Sequence, residues 1–168
     1  MISPEYIEQN KTLHDINEEY GTSGRKFAQI VQEICQQHNT LDILDYGCGK
    51  ATLDASLPGF MVRNYDPGIE EHSAMPEPAD IVVCTDVMEH IEPPFVEDVL
   101  DHIKSVMIKG GLITIASRPA KKSLPDGRNA HLIQENYRWW LPKIWDRFNV
   151  MQFDNLSDKE YILILRAI

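Results

Sequence analysis

Positive charge is scarce in this chain: 16 lysines and arginines stand against 26 aspartates and glutamates, a formal net charge of −10 over 168 residues. That balance argues against general, sequence-independent binding to nucleic acid, which draws on a basic surface. No apolar run approaches the roughly 20 residues needed to cross a bilayer, so no membrane partner is expected. The opening Met1-Ile-Ser-Pro-Glu-Tyr-Ile-Glu8 lacks a basic region followed by an apolar core, and a cytoplasmic location is the expectation. Cysteine is sparse and odd in number; Cys35, Cys48 and Cys84 fall in segments that read as helix, glycine loop and buried strand, so reduced thiols are the simplest account. Internal repeats and low-complexity segments are absent too. With 43% hydrophobic residues the chain can build one proper core and is short for two. A single domain, 1–168, is expected.

What is present alternates between strand-like and helix-like segments. The first twenty-odd residues are polar with scattered anchors (Tyr6, Ile7, Leu13, His14, Ile16 and Tyr20), so residues 1–24 read as a cap or lid. Thr22 or Ser23 can cap a helix whose apolar positions Phe27, Ile30, Val31, Ile34 and Cys35 keep helical spacing, with Asn39 as its stop. Strands are predicted over 42–46, up to Tyr65, and over 81–84. Pro93-Pro94 then forces a break before a helix with apolar positions from Phe95 to Met107, ended by Lys109-Gly110-Gly111, and a strand over 112–116 follows. A polar loop to Ala130 leads into a helix carrying Tyr137, Trp139, Trp140, Ile144 and Trp145. Strands over 150–153 and 161–165, joined by a turn Asn155-Leu-Ser-Asp158, close the chain. Between Asp66 and Asp80, residues Pro67, Gly68, Pro76 and Pro78 leave room for neither a full helix nor a normal strand.

The most informative stretch is Leu41-Asp-Ile-Leu-Asp-Tyr-Gly-Cys-Gly-Lys-Ala-Thr-Leu53, where an apolar strand runs into a glycine turn and a helix start. Glycines there let the backbone approach a ligand, and the N–H groups that follow can face an anionic part of it. Asp45, two residues before Gly47, repels a pyrophosphate but pairs well with an ammonium. Thr52 occupies the third glycine position of the dinucleotide fingerprint, which weakens an NAD reading. Asp66 ends the next apolar strand, about where an acid binds ribose hydroxyls. S-adenosylmethionine offers what these residues need: an ammonium for Asp45, a ribose for Asp66 and a carboxylate for the loop.

At these residues the chain resembles the class I S-adenosylmethionine-dependent methyltransferases, whose hallmark is an acid followed by Gly-x-Gly, here Asp45-Tyr-Gly47-Cys48-Gly49. Ala79-Asp-Ile-Val-Val-Cys-Thr-Asp-Val-Met-Glu-His90 is similar to that family's fourth-strand motif. Ile108-Lys-Gly-Gly-Leu-Ile-Thr-Ile-Ala116 is similar to its helix-turn-strand segment with paired glycines. The three matches come in the family's order and cover Leu41 to Ser117; Ala51 stands where a third glycine often sits. The resemblance implies an α/β, Rossmann-like, mostly parallel sheet with an antiparallel last strand and helices on both faces; the prolines after Asp66 depart from that pattern and leave the third strand reduced or missing. It implies that Asp45 holds the methionyl ammonium, that Gly47, Cys48 and Gly49 cradle the methionyl portion, and that Asp66 with Pro67 binds the ribose. Residues near Ala74 and Thr85 are expected to line the adenine, and Asp86 to bind the cofactor as well. Rival readings are a protein that binds or cleaves S-adenosylmethionine without methyl transfer, and an NAD-dependent oxidoreductase.

Methyl transfer to a hydroxyl requires an aligned acceptor, exclusion of water and a proton acceptor. Asp86, Glu89 and His90 fall at i, i+3 and i+4, and His131 follows in the loop beyond the 112–116 strand, so His90, His131 and Asp86 are the candidates for proton handling. Asp86, Glu89, His90 and His131 resemble the divalent-cation site of the small-RNA 3′-terminal 2′-O-methyltransferases, which implies Mg or Mn as a second cofactor. The bland alternative is an Asp-x-x-Glu capping box. Arg118, Lys121, Lys122 and Arg128 cluster in one loop, which could receive the anionic part of a small-molecule or nucleotide-like acceptor; Arg118, Lys121 and Arg128 are the substrate-binding candidates.

Overall fold

A computed structural model describes residues 2–157 and 159–168. Six strands form one sheet: β1 (Asp42–Tyr46), β2 (Met61–Tyr65), β3 (Ala79–Thr85), β4 (Met107–Ala116), β5 (Asn149–Leu156) and β6 (Glu160–Arg166), in the order β2-β1-β3-β4-β6-β5. β1 pairs in parallel with β2 and β3, and β3 with β4; β6 runs antiparallel to both β4 and β5. Between β2 and β3 the chain forms only a 3-10 turn, Glu70–His72. The sheet is thus mostly parallel, as the resemblance implies, and trimmed where the prolines predict.

Side-chain alternation along the central strands feeds two cores. Leu44, Val82, Cys84 and Ile113 face α4 (Val96–Val106) and α5 (Tyr137–Trp145), while Ile43, Ile81, Val83 and Leu112 face α2 (Ala28–His38). Apolar spacing in the sequence places Val31, Ile34 and Cys35 of α2 and Val99, Leu100 and Ile103 of α4 in these cores. Asn39 ends α2 as foreseen, adopting the left-handed conformation at φ 48°. The start of α2 differs: the chain enters through a 3-10 turn, Ser23–Phe27, and the Thr22 hydroxyl donates to the Glu19 carbonyl rather than capping.

Gly110 and Gly111 do not end a helix; α4 stops at Val106 and both glycines lie inside β4. A methyl group on Gly110 would press on the Leu165 carbonyl of β6, and one on Gly111 on the Val82 carbonyl of β3. The pair is there to let neighbouring strands close on β4 from both sides. Asn155 and Leu156 also belong to a strand rather than the predicted turn, and Asp158 lies outside the described residues.

Residues 4–16 form α1 (Pro4–Ile16), capped by the Ser3 hydroxyl, which accepts the Tyr6 N–H. Its apolar residues Tyr6 and Leu13 pack with Leu124 in a small cluster separate from both sheet cores. This helix and the loop after β4 therefore hold one another over the carboxyl ends of the parallel strands. At that end β1 is flanked by β2 on one side and β3 on the other, the crevice where open α/β sheets receive ligands.

Candidate active site

A cavity of about 760 Å³ occupies the crevice, its wall drawn from the ends of β1, β2 and β3, from α1 and from the loop after β4. Asp45, Gly47, Cys48, Gly49, Asp66, Pro67, Thr85 and Asp86 all line it, as do His90, His131, Arg118 and Lys121. Three predicted residues do not: Ala74, Arg128 and Glu89, the last fully buried behind the wall. Ala74 is exposed, because the turn at Glu70–His72 releases the chain outward before β3 begins. Arg128 is drawn to Asp126, with Nη2 2.7 Å from the carboxylate, and is not part of the cavity lining.

The floor is acidic and buried. Asp45 is 2% exposed and its Oδ2 has no hydrogen-bond partner among the described residues. Burial, reinforced by the charges of Asp66 and Asp54, pushes its carboxyl up to about 7. Asp66 accepts the Gly49 N–H on Oδ2 at 3.1 Å and the Gly68 N–H on Oδ1 at 2.9 Å, leaving lone pairs on both oxygens for a further donor. Two carboxylates on one floor, one of them with an unpartnered buried oxygen, call for a cationic or hydroxyl-bearing occupant.

The glycine turn plays a different part from the one its sequence suggests. The Gly47 and Cys48 N–H groups both donate to the Tyr65 carbonyl, Lys50 N–H to the Gly21 carbonyl, and Ala51 N–H to the Cys48 carbonyl. With Gly49 N–H on Asp66, every donor from 47 to 51 is committed within the protein. The helix that follows, α3 (Thr52–Ala55), is a single turn. Gly47 and Gly49 instead supply room: both have positive φ, and a side chain on Gly47 would collide with Val87.

Beyond the floor lies a group of rings. His90 and His131 meet edge to face at 4.7 Å, and Tyr20 meets His90 at 5.8 Å and His14 at 4.7 Å. Burial, then the neighbouring His131, pushes His90 down to about 3, and burial also lowers His131, so both rings are neutral near pH 7. His131 Nδ1 lies 2.6 Å from the Arg118 carbonyl, which can only accept; that nitrogen carries the proton and Nε2 keeps a lone pair.

Glu89 is fully buried, and its Oε1 accepts the Ala116 N–H at 2.9 Å while Oε2 is unpartnered. Burial and the charge of Asp86 raise its carboxyl well above the usual range. Ligating atoms of Glu89, His90 and His131 lie within 4.8 Å of one another; Asp86 is not one of the group. Asp86 stands before the short 3-10 turn Met88–His90 at φ 53°, its N–H on the Thr114 hydroxyl and its Oδ1 buried without a partner. No side chain caps that turn, so the capping-box alternative is not what these residues do.

At the rim Arg118 and Lys121 are exposed with no ion pair among the described residues, whereas Lys122 bonds the Asn17 side chain and lies over the Tyr20 ring. Tyr20 and His14 were absent from the sequence-derived site. The sequence offers them only as scattered anchors of a polar segment; the placement of α1 over the crevice is what brings them to the cavity.

The methyltransferase-domain family matches residues 14–158. Curated proteins give no match to this chain. Among solved structures, the 1,6-didemethyltoxoflavin-N1-methyltransferase of Burkholderia thailandensis, with its substrate and S-adenosylhomocysteine bound, superposes with TM-score 0.69 at 12% identity, covering 99% of this chain and 91% of that one. An S-adenosylmethionine-dependent methyltransferase from Clostridium acetobutylicum gives TM-score 0.69 at 11% identity, covering 94% and 98%. The magnesium protoporphyrin IX methyltransferase of Synechocystis, with S-adenosylhomocysteine bound, gives 0.62 at 16% identity, covering 86% and 83%.

Proposed function

This chain belongs to the methyltransferase-domain family, and we propose that it transfers the methyl group of S-adenosylmethionine to a hydroxyl on a small or nucleotide-like acceptor that carries an anionic group. One observation supports the reading above the others: a buried, unpartnered carboxylate oxygen on Asp45 shares the cavity floor with Asp66. A bound S-adenosylmethionine supplies an electrophilic methyl on a sulfonium, needing no activation by the protein. Asp45 pairs with the amino-acid ammonium and Asp66 with the ribose hydroxyls. Thr85 and Asp86 close the floor beside them, and Cys48 and Pro67 flank the two acids. Arg118 and Lys121 receive the anionic end of the acceptor, which sets its hydroxyl among the rings. The Nε2 lone pair of His131 takes the hydroxyl proton as the acceptor oxygen bonds the methyl carbon and the electron pair of the old bond returns to sulfur. His90 packs against His131 and keeps the neutral pair in place.

Titration calorimetry tests the cofactor assignment. Micromolar binding of S-adenosylhomocysteine with none of NAD is expected; the reverse pattern overturns it. Labelled S-adenosylmethionine incubated without acceptor should stay intact, and its fragmentation would favour the cleaving alternative.

The cluster of Glu89, His90 and His131 favours a second cofactor. Two imidazoles and one carboxylate suit a borderline transition ion such as zinc or ferrous iron better than magnesium, and manganese falls between. A bound cation would keep Glu89 ionised and polarise the acceptor hydroxyl in place of a free imidazole base. Metal content after expression with each ion, compared with Glu89→Ala, decides between the two routes. A chain that binds no ion handles the proton through His131.

A further inference from the structure

α1 puts a ring into the cofactor end of the cavity that neither the sequence motifs nor the proposed chemistry use. His14 lines the cavity, and its Nδ1 is buried without a partner. That nitrogen is sealed against the opposite strap: a methyl group on Gly21 would lie 3.2 Å from it and 2.6 Å from Cε1. Gly21 in turn rests on Gly49, whose N–H is held by Asp66. The neighbouring turn of α1 runs along the same segment. Asn10, four residues back and on the same helix face, has its Cβ 3.6 Å from where a side chain on Gly68 would begin. The Tyr20 ring covers the other side of His14 at 4.7 Å. Of the charges that reach His14, from Asp66, Lys50, Asp15 and Lys122, that of Asp66 acts most strongly, while burial keeps the ring neutral.

A neutral imidazole holds one proton, and an N–H sealed without an acceptor costs a full desolvation penalty. The proton therefore belongs on Nε2, which makes His14 a hydrogen-bond donor in the cavity whose floor holds the Asp66 carboxylate, a group that can only accept. A sugar hydroxyl is the group that satisfies both at once, donating its proton to Asp66 and accepting from His14.

We propose that His14 is a cofactor-binding residue which, with Asp66, forms a donor–acceptor clamp on one hydroxyl of the ribose diol. The assignment rests on the S-adenosylmethionine reading above. In this clamp α1 does more than cover the site: it checks that the ligand is a ribonucleoside.

Calorimetry on the full chain with S-adenosylhomocysteine and its 2′-deoxy and 3′-deoxy analogues tests it. His14→Phe, which keeps the ring packing but has no N–H, should weaken S-adenosylhomocysteine about tenfold, and His14→Gln, which restores a donor, should recover most of that. The penalty for removing one of the two hydroxyls should shrink by a similar factor in His14→Phe, the signature of a shared contact. Binding unchanged in His14→Phe, or weakened equally for all three ligands, overturns the clamp while leaving the cofactor reading intact. Failure of the unsubstituted chain to bind S-adenosylhomocysteine would remove both.

Discussion

Gly49 and Gly21 meet backbone to backbone: a methyl group on Gly49 would lie 2.5 Å from the Gly21 carbonyl oxygen, and that same oxygen accepts the Lys50 N–H at 2.9 Å. The glycine turn after β1 is thereby joined to the N-terminal strap across the cavity. Gly49→Ala should cost about 2 kcal/mol from a positive φ and a displaced strap. It should also weaken S-adenosylhomocysteine more than tenfold, which denaturant unfolding and calorimetry would measure side by side. Full stability and affinity in that variant would mean the strap yields freely.

Asp45 links cofactor binding to pH. Its carboxyl, raised to about 7, is largely protonated at pH 6, and pairing with an ammonium requires it ionised. Binding at pH 6 should release a proton, and affinity for S-adenosylhomocysteine should rise about tenfold per pH unit up to about 7 before levelling. Without ligand the sign reverses for stability. The folded chain holds this proton more tightly than the unfolded one, so the contribution is full below about pH 4 and is lost as pH rises through about 7. Asp45→Asn should flatten both profiles, read by calorimetry in buffers of different ionisation enthalpy and by urea unfolding across pH.

Glu89 makes its structural contact as a hydrogen-bond acceptor for Ala116 N–H. Glu89→Gln keeps an oxygen there and should stay within about 1 kcal/mol of the parent, whereas Glu89→Ala leaves a buried N–H and a void and should cost about 3 kcal/mol. Equal unfolding midpoints for the two variants would show that this bond contributes nothing.

The cap formed by α1 is pinned at its start by Glu92, which accepts the Ser3 N–H at 2.8 Å and the Ser3 hydroxyl at 2.9 Å. Because Tyr6 and Leu13 belong to a small cluster of their own, α1 amides should exchange with deuterium well before those of β3 and β4. Glu92→Ala should speed exchange in α1 about tenfold without touching the sheet, and S-adenosylhomocysteine should slow it again. Exchange of α1 together with the central strands would instead make the cap part of the global fold.

The alternating strands, the helical spacing of α2 and α4, the stop at Asn39 and the two acids at Asp45 and Asp66 were all readable from the chain, because each depends on residues near one another in sequence. So was the missing strand between β2 and β3, written in prolines. What tertiary structure alone decided is where donors and rings point. The loop N–H groups from Gly47 to Ala51 are consumed by Tyr65, Asp66, Gly21 and Cys48, and the first three of these partners lie far away in sequence. Arg128 was lost to Asp126 within its own turn, while Asp86 was separated from Glu89, His90 and His131 by a backbone twist at positive φ. His14 and Tyr20 entered the site because packing on Leu124 laid α1 across the crevice, and the periodicity of a polar segment cannot announce which distant surface it will cover.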